Sequence, residues 1–332
     1  MPQTPALRIL GEDTPAGCGL VHCPRTIPVC RELSGLLDAI GNTPMVKLRR
    51  ASEETGCTIL AKCEFQNPGG SLKDRIAKQM IEQAELRGEL RPGMTILEVT
   101  SGNTGIALSM VGAAKGYRVV IMMPRTVSEE RRAMIRSFGA ELTLIDEVHH
   151  IQDAVARSRE LARDDASIFL PSQFENPDNP ACHEYTTGPE ILLQTGGRLD
   201  AFVMGVGTGG TLMGVGRALR AAGAACRIVA VEPDESAVMS GGAPGRHGIQ
   251  GLADGFIPAL VRLDEVDEIV RIKTADALAF SQRLAAEEGL LVGVSSGANV
   301  LAATELARRL GRGQTIVTML PDRGERYLSL GP

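Results

Sequence analysis

Lys73 sits in the stretch Asn67-Pro68-Gly69-Gly70-Ser71-Leu72-Lys73-Asp74-Arg75, where a Gly-Gly turn runs into a predicted amphipathic helix, Asp74 to Arg87. A cation at that point opposes the positive end of the helix dipole. With a second cation at Arg75, this setting predicts a depressed lysine pKa and a neutral amine able to attack a carbonyl. Taken alone, the segment is better read as a solvated surface lysine.

Directly after the apolar run Ile96-Leu97-Glu98-Val99 comes Thr100-Ser101-Gly102-Asn103-Thr104-Gly105. Successive backbone N–H groups at a helix start, with the hydroxyls of Thr100, Ser101 and Thr104 and the amide of Asn103, form a cradle for a small anion. A substrate carboxylate suits it better than a bulky phosphate, because its side chains are already polar and close-packed. A plain helix cap needs only one such residue.

A glycine-rich segment, Gly205-Val206-Gly207-Thr208-Gly209-Gly210-Thr211, lies between a predicted strand and a helix. Its N–H groups and the hydroxyls of Thr208 and Thr211 make a nest for a dianionic phosphate. Gly205, Gly207 and Gly210 also satisfy G-x-G-x-x-G, and Glu232 ends a following strand where a dinucleotide fold keeps its ribose-binding acid. A nicotinamide-dependent oxidoreductase using Gly205–Gly210 is therefore the rival reading. It leaves Lys73 and the Thr100 loop without a task, whereas a monophosphate cofactor uses all three. A fourth segment, Gly293-Val294-Ser295-Ser296-Gly297-Ala298-Asn299, opens another helix and by itself is ordinary capping.

The elements that must position these segments alternate. Strands are predicted at Thr58–Cys63, Thr95–Val99, Arg118–Met123, Glu141–Ile145, Ala201–Met204, Arg227–Val231 and Gln314–Met319. Helices are predicted at Asn103–Ala114, Ser128–Phe138, Leu212–Ala221, Ala275–Glu288 and Ala298–Leu310. Such alternation implies parallel sheets with helices on both faces, and ligands beyond the carboxyl ends of the strands. The break between halves falls in the Pro- and Asn-rich stretch Pro171 to Pro180.

With 332 residues, the chain is long enough for one large or two modest domains. Aromatics are 3% with no Trp, so aliphatic and small residues must build the cores. A net charge of −5 argues against a nucleic-acid partner. No run reaches the roughly 18 apolar residues that span a bilayer, and the N-terminus lacks a secretion-signal pattern. The seven cysteines, odd in number and scattered, suit free thiols in a reducing cytosol. Cys18, His22, Cys23 and Cys30 crowd the N-terminus with no spacing typical of zinc, so a loosely ordered extension over residues 1–36 is expected and no metal site.

The four segments, in this order, resemble the β-substituting branch of the fold type II pyridoxal-phosphate (PLP) enzymes, which contains cysteine synthase (O-acetylserine sulfhydrylase) and cystathionine β-synthase. The resemblance runs from about Leu37 to Ser329 and includes Ile40 to Val46, Gln173 to Pro177, Thr186 to Glu190, Gly251 to Pro258 and Gly324 to Tyr327. It implies an α/β fold of two open parallel-sheet domains with the cofactor in the cleft between them. The smaller domain would span residues 67–177, the larger 37–66 and 178–332.

By the same resemblance, Lys73 carries PLP as a Schiff base and acts as the catalytic base, and Asn103 contacts the cofactor's 3′-oxygen. Gly207, Thr208, Gly209, Gly210 and Thr211 hold its phosphate, and Ser295 hydrogen-bonds the pyridine nitrogen. Thr100, Ser101, Gly102, Thr104 and Gln173 hold the substrate carboxylate. A neutral hydroxyl at Ser295 cannot keep the ring nitrogen protonated as a carboxylate would, which favours β-elimination over transamination. The implied reaction is O-acetyl-L-serine plus sulfide to L-cysteine plus acetate, by a cytosolic homodimer. L-serine or O-phosphoserine with homocysteine or an amine is the alternative. Two departures stand out. Val99 replaces a usual proline, which suggests a softer loop, and Asp254 lies in a segment over the pocket, where it bears on the second substrate or the leaving group.

Overall fold

The computed structural model describes residues 33–100, 102–145 and 151–330. Ten strands are described there: β1 Met45–Lys47, β2 Thr58–Lys62, β3 Thr95–Val99, β4 Arg118–Pro124, β5 Glu141–Ile145, β6 Ile168–Phe169, β7 Ala201–Gly205, β8 Arg227–Pro233, β9 Glu268–Ile272 and β10 Thr315–Met319. The helices are α1 Arg49–Thr55, α2 Lys73–Leu86, α3 Asn103–Lys115, α4 Glu129–Ser137, α5 Ile151–Asp164, α6 Asp178–Cys182, α7 Gly188–Thr195, α8 Gly210–Ala221, α9 Thr274–Glu288 and α10 Val294–Leu310. A π-helical turn, His183–Thr187, joins α6 to α7.

The strands form two sheets. One has the order β1-β2-β10-β7-β8-β9, the other β5-β4-β3-β6. All described pairs are parallel except β1 with β2, an antiparallel edge that the alternation of strands and helices did not suggest. Its three residues, Met45-Val46-Lys47, are too few to show a period.

Successive residues of a strand face opposite sides of a sheet, and the core divides accordingly. Ala201, Val203, Val229 and Val231 pack on one face of the larger sheet, while Phe202, Met204, Ile228 and Ala230 pack on the other. In the smaller sheet, Ile96, Val119 and Ile121 face one way, and Leu97, Val99 and Met122 the other. Both faces are covered, so the strands read as continuous apolar runs. Helix α3 is buried along most of its length, which explains its small and apolar sequence. Helix α2 buries Ile76, Ala77, Met80, Ile81 and Ala84, one stripe at helical spacing.

Among the described residues, no helix is long and apolar enough to cross a membrane. Cys18, His22, Cys23 and Cys30, with most of the expected extension, lie outside the described residues.

Candidate active site

Lys73 is the first residue of α2. The turn before it is stitched to the end of the chain. Leu72 N donates to Pro321 O at 2.9 Å, Arg323 N donates to Gly70 O at 3.3 Å, and Ser71 bridges Asp322. Gly70 turns with φ of +81°, a conformation that favours glycine. The Gly69 amide donates to Asp74 Oδ2 at 2.6 Å, so the residue after the lysine ties the turn back onto the helix.

The Lys73 ammonium is disfavoured by burial, which brings its pKa down to about 8, while the carboxylates of Asp254 and Asp322 pull the other way. This corrects the expectation that Arg75 does the lowering. The Arg75 guanidinium is spent elsewhere, on Glu64 at 2.7 Å and Glu190 at 2.7 Å, and Glu190 also takes Lys62 at 2.8 Å. Four charged side chains thus pair with one another beneath the start of α2, fixing the helix that carries Lys73.

The anion loop follows β3, as the Gly-rich loop follows β7. The Gly102 amide donates to Thr100 Oγ1 at 3.2 Å, and the Thr104 hydroxyl donates to Gln173 Oε1 at 2.6 Å. Gln173 is held in turn, its amide N–H donating to Glu98 Oε2 at 3.2 Å and its side chain to Val99 O at 3.4 Å. Val99 also has an N–H, which proline lacks, and donates it to Glu98 Oε1 at 2.9 Å. The substitution therefore adds a tether where a softer loop was expected. Ser101 lies outside the described residues.

Gly207 is required by close approach, since a β-carbon there would lie 2.4 Å from the Gly251 carbonyl oxygen. Gly209 adopts φ of +84° just before α8 and leaves that helix's first N–H groups facing the cleft. Glu232 is not open to the cleft. It is buried and accepts from Met239 N at 2.8 Å, Ser240 N at 3.0 Å and Ser240 Oγ at 2.5 Å. The ribose-binding acid that a dinucleotide site needs is consumed in closing a turn.

These segments meet in two adjoining cavities. One is lined by Lys73, Asn103, Gly207, Thr208, Thr211 and Ser295 among others; Gly209 also borders it, and Gly210 begins α8 behind it. The second shares Lys73, Asn103, Gly207 and Thr208 and adds Thr100, Gly102, Thr104, Gln173, Arg131 and Asp254. Burial pushes the Asp254 carboxyl up to about 6 against the pull of Lys73.

Several side chains here carried no local signal. Asn179 donates to Gln173 O at 2.8 Å and Thr208 Oγ1 at 3.0 Å, joining Gln173 to the Gly-rich loop. His183 bonds Thr211 through Nε2 at 3.1 Å and Thr187 through Nδ1 at 2.9 Å. Burial, then the Arg75 charge, drives its pKa down to about 3, so its ring is neutral. The Asn103 amide donates to Asp322 Oδ2 at 2.6 Å, and its oxygen accepts from Arg326. Asp322, Arg326 and Tyr327 come from the last turn of the chain, more than two hundred residues from Asn103.

A lysine amine with a pKa near 8, the N-terminus of α8 and a buried hydroxyl at Ser295 line one cavity. That donor set suits an aldehyde bearing a phosphate and a pyridine ring. A family model described as "Pyridoxal-phosphate dependent enzyme" matches residues 36–322. The chain belongs to the pyridoxal-phosphate-dependent enzyme family.

Within this family the chain is 49% identical over 300 residues to a cysteine synthase of Staphylococcus aureus, covering 90% of this chain and 96% of that protein. A cysteine synthase structure from Entamoeba histolytica superposes with a TM-score of 0.88 at 42% identity, covering 93% of each chain. An O-ureido-L-serine synthase structure gives 0.87 at 45%, covering 90% of this chain and 94% of that one. The protein is thus a PLP-dependent enzyme of the cysteine synthase type, with the two-sheet α/β fold of that family.

Proposed function

We propose that this enzyme replaces the β-substituent of an O-activated L-serine, taking O-acetyl-L-serine and sulfide to L-cysteine and acetate. One observation carries the reading. The depressed amine of Lys73 faces both the cavity lined by Thr208, Thr211 and Ser295 and the one lined by Thr100, Thr104 and Gln173. The likeness to cysteine synthases at 49% and 42% identity supports the substrate pair.

Bound PLP supplies an electron-withdrawing system that stabilises negative charge at the substrate α-carbon. Lys73 would anchor it, and the α8 N-terminus with Thr208 and Thr211 would hold the phosphate, with Gly207, Gly209 and Gly210 letting the backbone come close. Ser295 would offer the pyridine nitrogen a neutral hydroxyl, and Asn103, its amide fixed by Asp322 and Arg326, would meet the ring oxygen. Thr100, Ser101, Gly102, Thr104 and Gln173 orient the substrate carboxylate. Once the substrate occupies the site, the Lys73 amine takes the α-proton, and a pKa near 8 leaves a useful fraction neutral at physiological pH. The leaving group departs from the β-carbon and the nucleophile adds there.

The second reading, another nucleophile or another activated serine, is favoured by Asp254, a carboxyl facing the incoming substrate's cavity. Purified, PLP-loaded protein given O-acetylserine and sulfide should release cysteine and acetate in equal amounts, faster than with serine or O-phosphoserine. Failure to form cysteine from that pair overturns the proposal. The enzyme would work in the cytosol, consistent with free thiols at Cys57, Cys63, Cys182 and Cys226. It would act as a homodimer, for which exposed Leu86, Tyr185 and Leu193 offer apolar surface. Sedimentation equilibrium checks the stoichiometry.

A further inference from the structure

Behind the substrate cavity lies a larger one, lined by the apolar Val155, Leu170 and Ile257 and by the charged Glu98, Arg159 and Glu175. Three segments separate the two cavities, and each sends residues into both. From the end of β3, Thr100 faces the substrate cavity and Glu98 the outer one; from the loop after β6, Gln173 and Ser172 divide in the same way. From the loop over the pocket, Asp254 and Phe256 complete the pattern, while Phe174 borders both spaces.

The wall is therefore a single segment thick, and an aromatic pair fills it. The rings of Phe174 and Phe256 lie 5.3 Å apart, tilted by 60°, an attractive edge-to-face contact. Both rings grow from fixed backbone. Ser172 and Ala253 hold φ of +53° and +46°, conformations unusual without glycine. Glu98 accepts the Gln173 amide, Ala253 N donates to Val206 O at 3.0 Å, and His247 Nε2 contacts Ala253 O at 3.0 Å.

We propose that Phe174 and Phe256 form a partition that keeps the second substrate small, and that the outer cavity is the space an apolar tail occupies once the partition is opened. This rests on the β-replacement reading above. With a thiol R–SH, the β-carbon–oxygen bond breaks with its electron pair on acetate. A carbon–sulfur bond forms, and the thiol proton leaves to the medium, giving S-substituted L-cysteine. The Val155, Leu170 and Ile257 side of the outer cavity suits an aryl or alkyl R group.

PLP-loaded wild type, Phe256→Ala and Phe256→Leu are first given O-acetylserine alone, and the change in visible absorbance reports the first half of the reaction. Sulfide or benzyl mercaptan is then mixed in, and recovery of the starting spectrum is timed. Wild type should favour sulfide by roughly 100-fold, and Phe256→Ala should shrink that preference at least tenfold, with Phe256→Leu between, the scale on which pocket size discriminates. An unchanged preference after a normal first phase overturns the partition. Absence of the first phase counts against the β-replacement reading instead. Crystals of cofactor-free Phe256→Ala soaked in benzyl mercaptan test the partition without turnover. The benzyl ring should lie between Lys73 and the Glu98 wall, and a ring bound elsewhere refutes the proposal.

Discussion

The hydroxyl of Thr104 donates to the side-chain oxygen of Gln173 across 2.6 Å, although 69 residues separate them. On the proposed reading, this bond fixes the face that Gln173 presents to the substrate carboxylate. Thr104→Val leaves a buried acceptor unmatched, a loss of about 1–3 kcal/mol. The KM for O-acetylserine should rise roughly tenfold or more, with a smaller change in kcat. Steady-state kinetics decide it, and an unaltered KM would detach the pair from substrate binding.

Lys73→Ala should abolish turnover by at least about 10³-fold, the scale lost when a nucleophile and base is removed. Some PLP should still bind non-covalently. Borohydride treatment followed by peptide mapping should label Lys73 in wild type and no lysine in the variant.

The Lys73 amine should gain reactivity as pH rises through about 8 and then level off, because burial holds its pKa below the ordinary 10.5. The rate of PLP capture by cofactor-free protein measures this directly. Asp254 raises the Lys73 pKa, so Asp254→Asn should move the midpoint to lower pH. A midpoint that stays put would show that the carboxylate is not felt at the amine.

His183 makes an acid-sensitive contribution to stability. Its folded pKa is near 3 against an ordinary 6.5, so below pH 6.5 the unfolded chain gains a proton that the folded one refuses. Stability therefore falls as pH drops from about 6.5 toward 3. Between pH 7 and pH 5 this one group should account for about 2 kcal/mol. Urea unfolding of wild type and His183→Gln at both pH values isolates it, with the variant expected to lose less.

Arg75→Leu leaves Glu64 and Glu190 without their shared cation in the interior. Breaking such a buried pair costs about 3–5 kcal/mol. Denaturant unfolding should show that loss, while an equal midpoint would mean the cluster relaxes without it.

How much of this was legible depends on distance along the chain. Thr95–Val99 was readable to the residue as a short, mostly apolar run that is buried in the sheet, and Glu141–Ile145 because Glu-Leu-Thr-Leu alternates with period two along a sheet edge. The lysine turn, the anion loop and the Gly-rich loop were also readable, since each is local chemistry after a strand. Helix α1, Arg-Arg-Ala-Ser-Glu-Glu-Thr, was not, because it buries only Ala51, Ser52 and Thr55 and has no apolar stripe. Asn179, His183 and Asp322 were invisible as site residues, because their roles exist only after distant segments meet. Arg75 was misjudged for the same reason: its partners lie 11 and 115 residues away.

The stitches between the Lys73 turn and Pro321–Arg323, with the Arg75 ties to Glu64 and Glu190, have a mechanical consequence. Asp322 also takes the Asn103 amide, and α2 packs its Ala77, Ile81 and Ala84 against the core of the four-stranded sheet. The amine and the start of α3 are therefore braced by the same chain segment, so that a disturbance at either one is felt at the other.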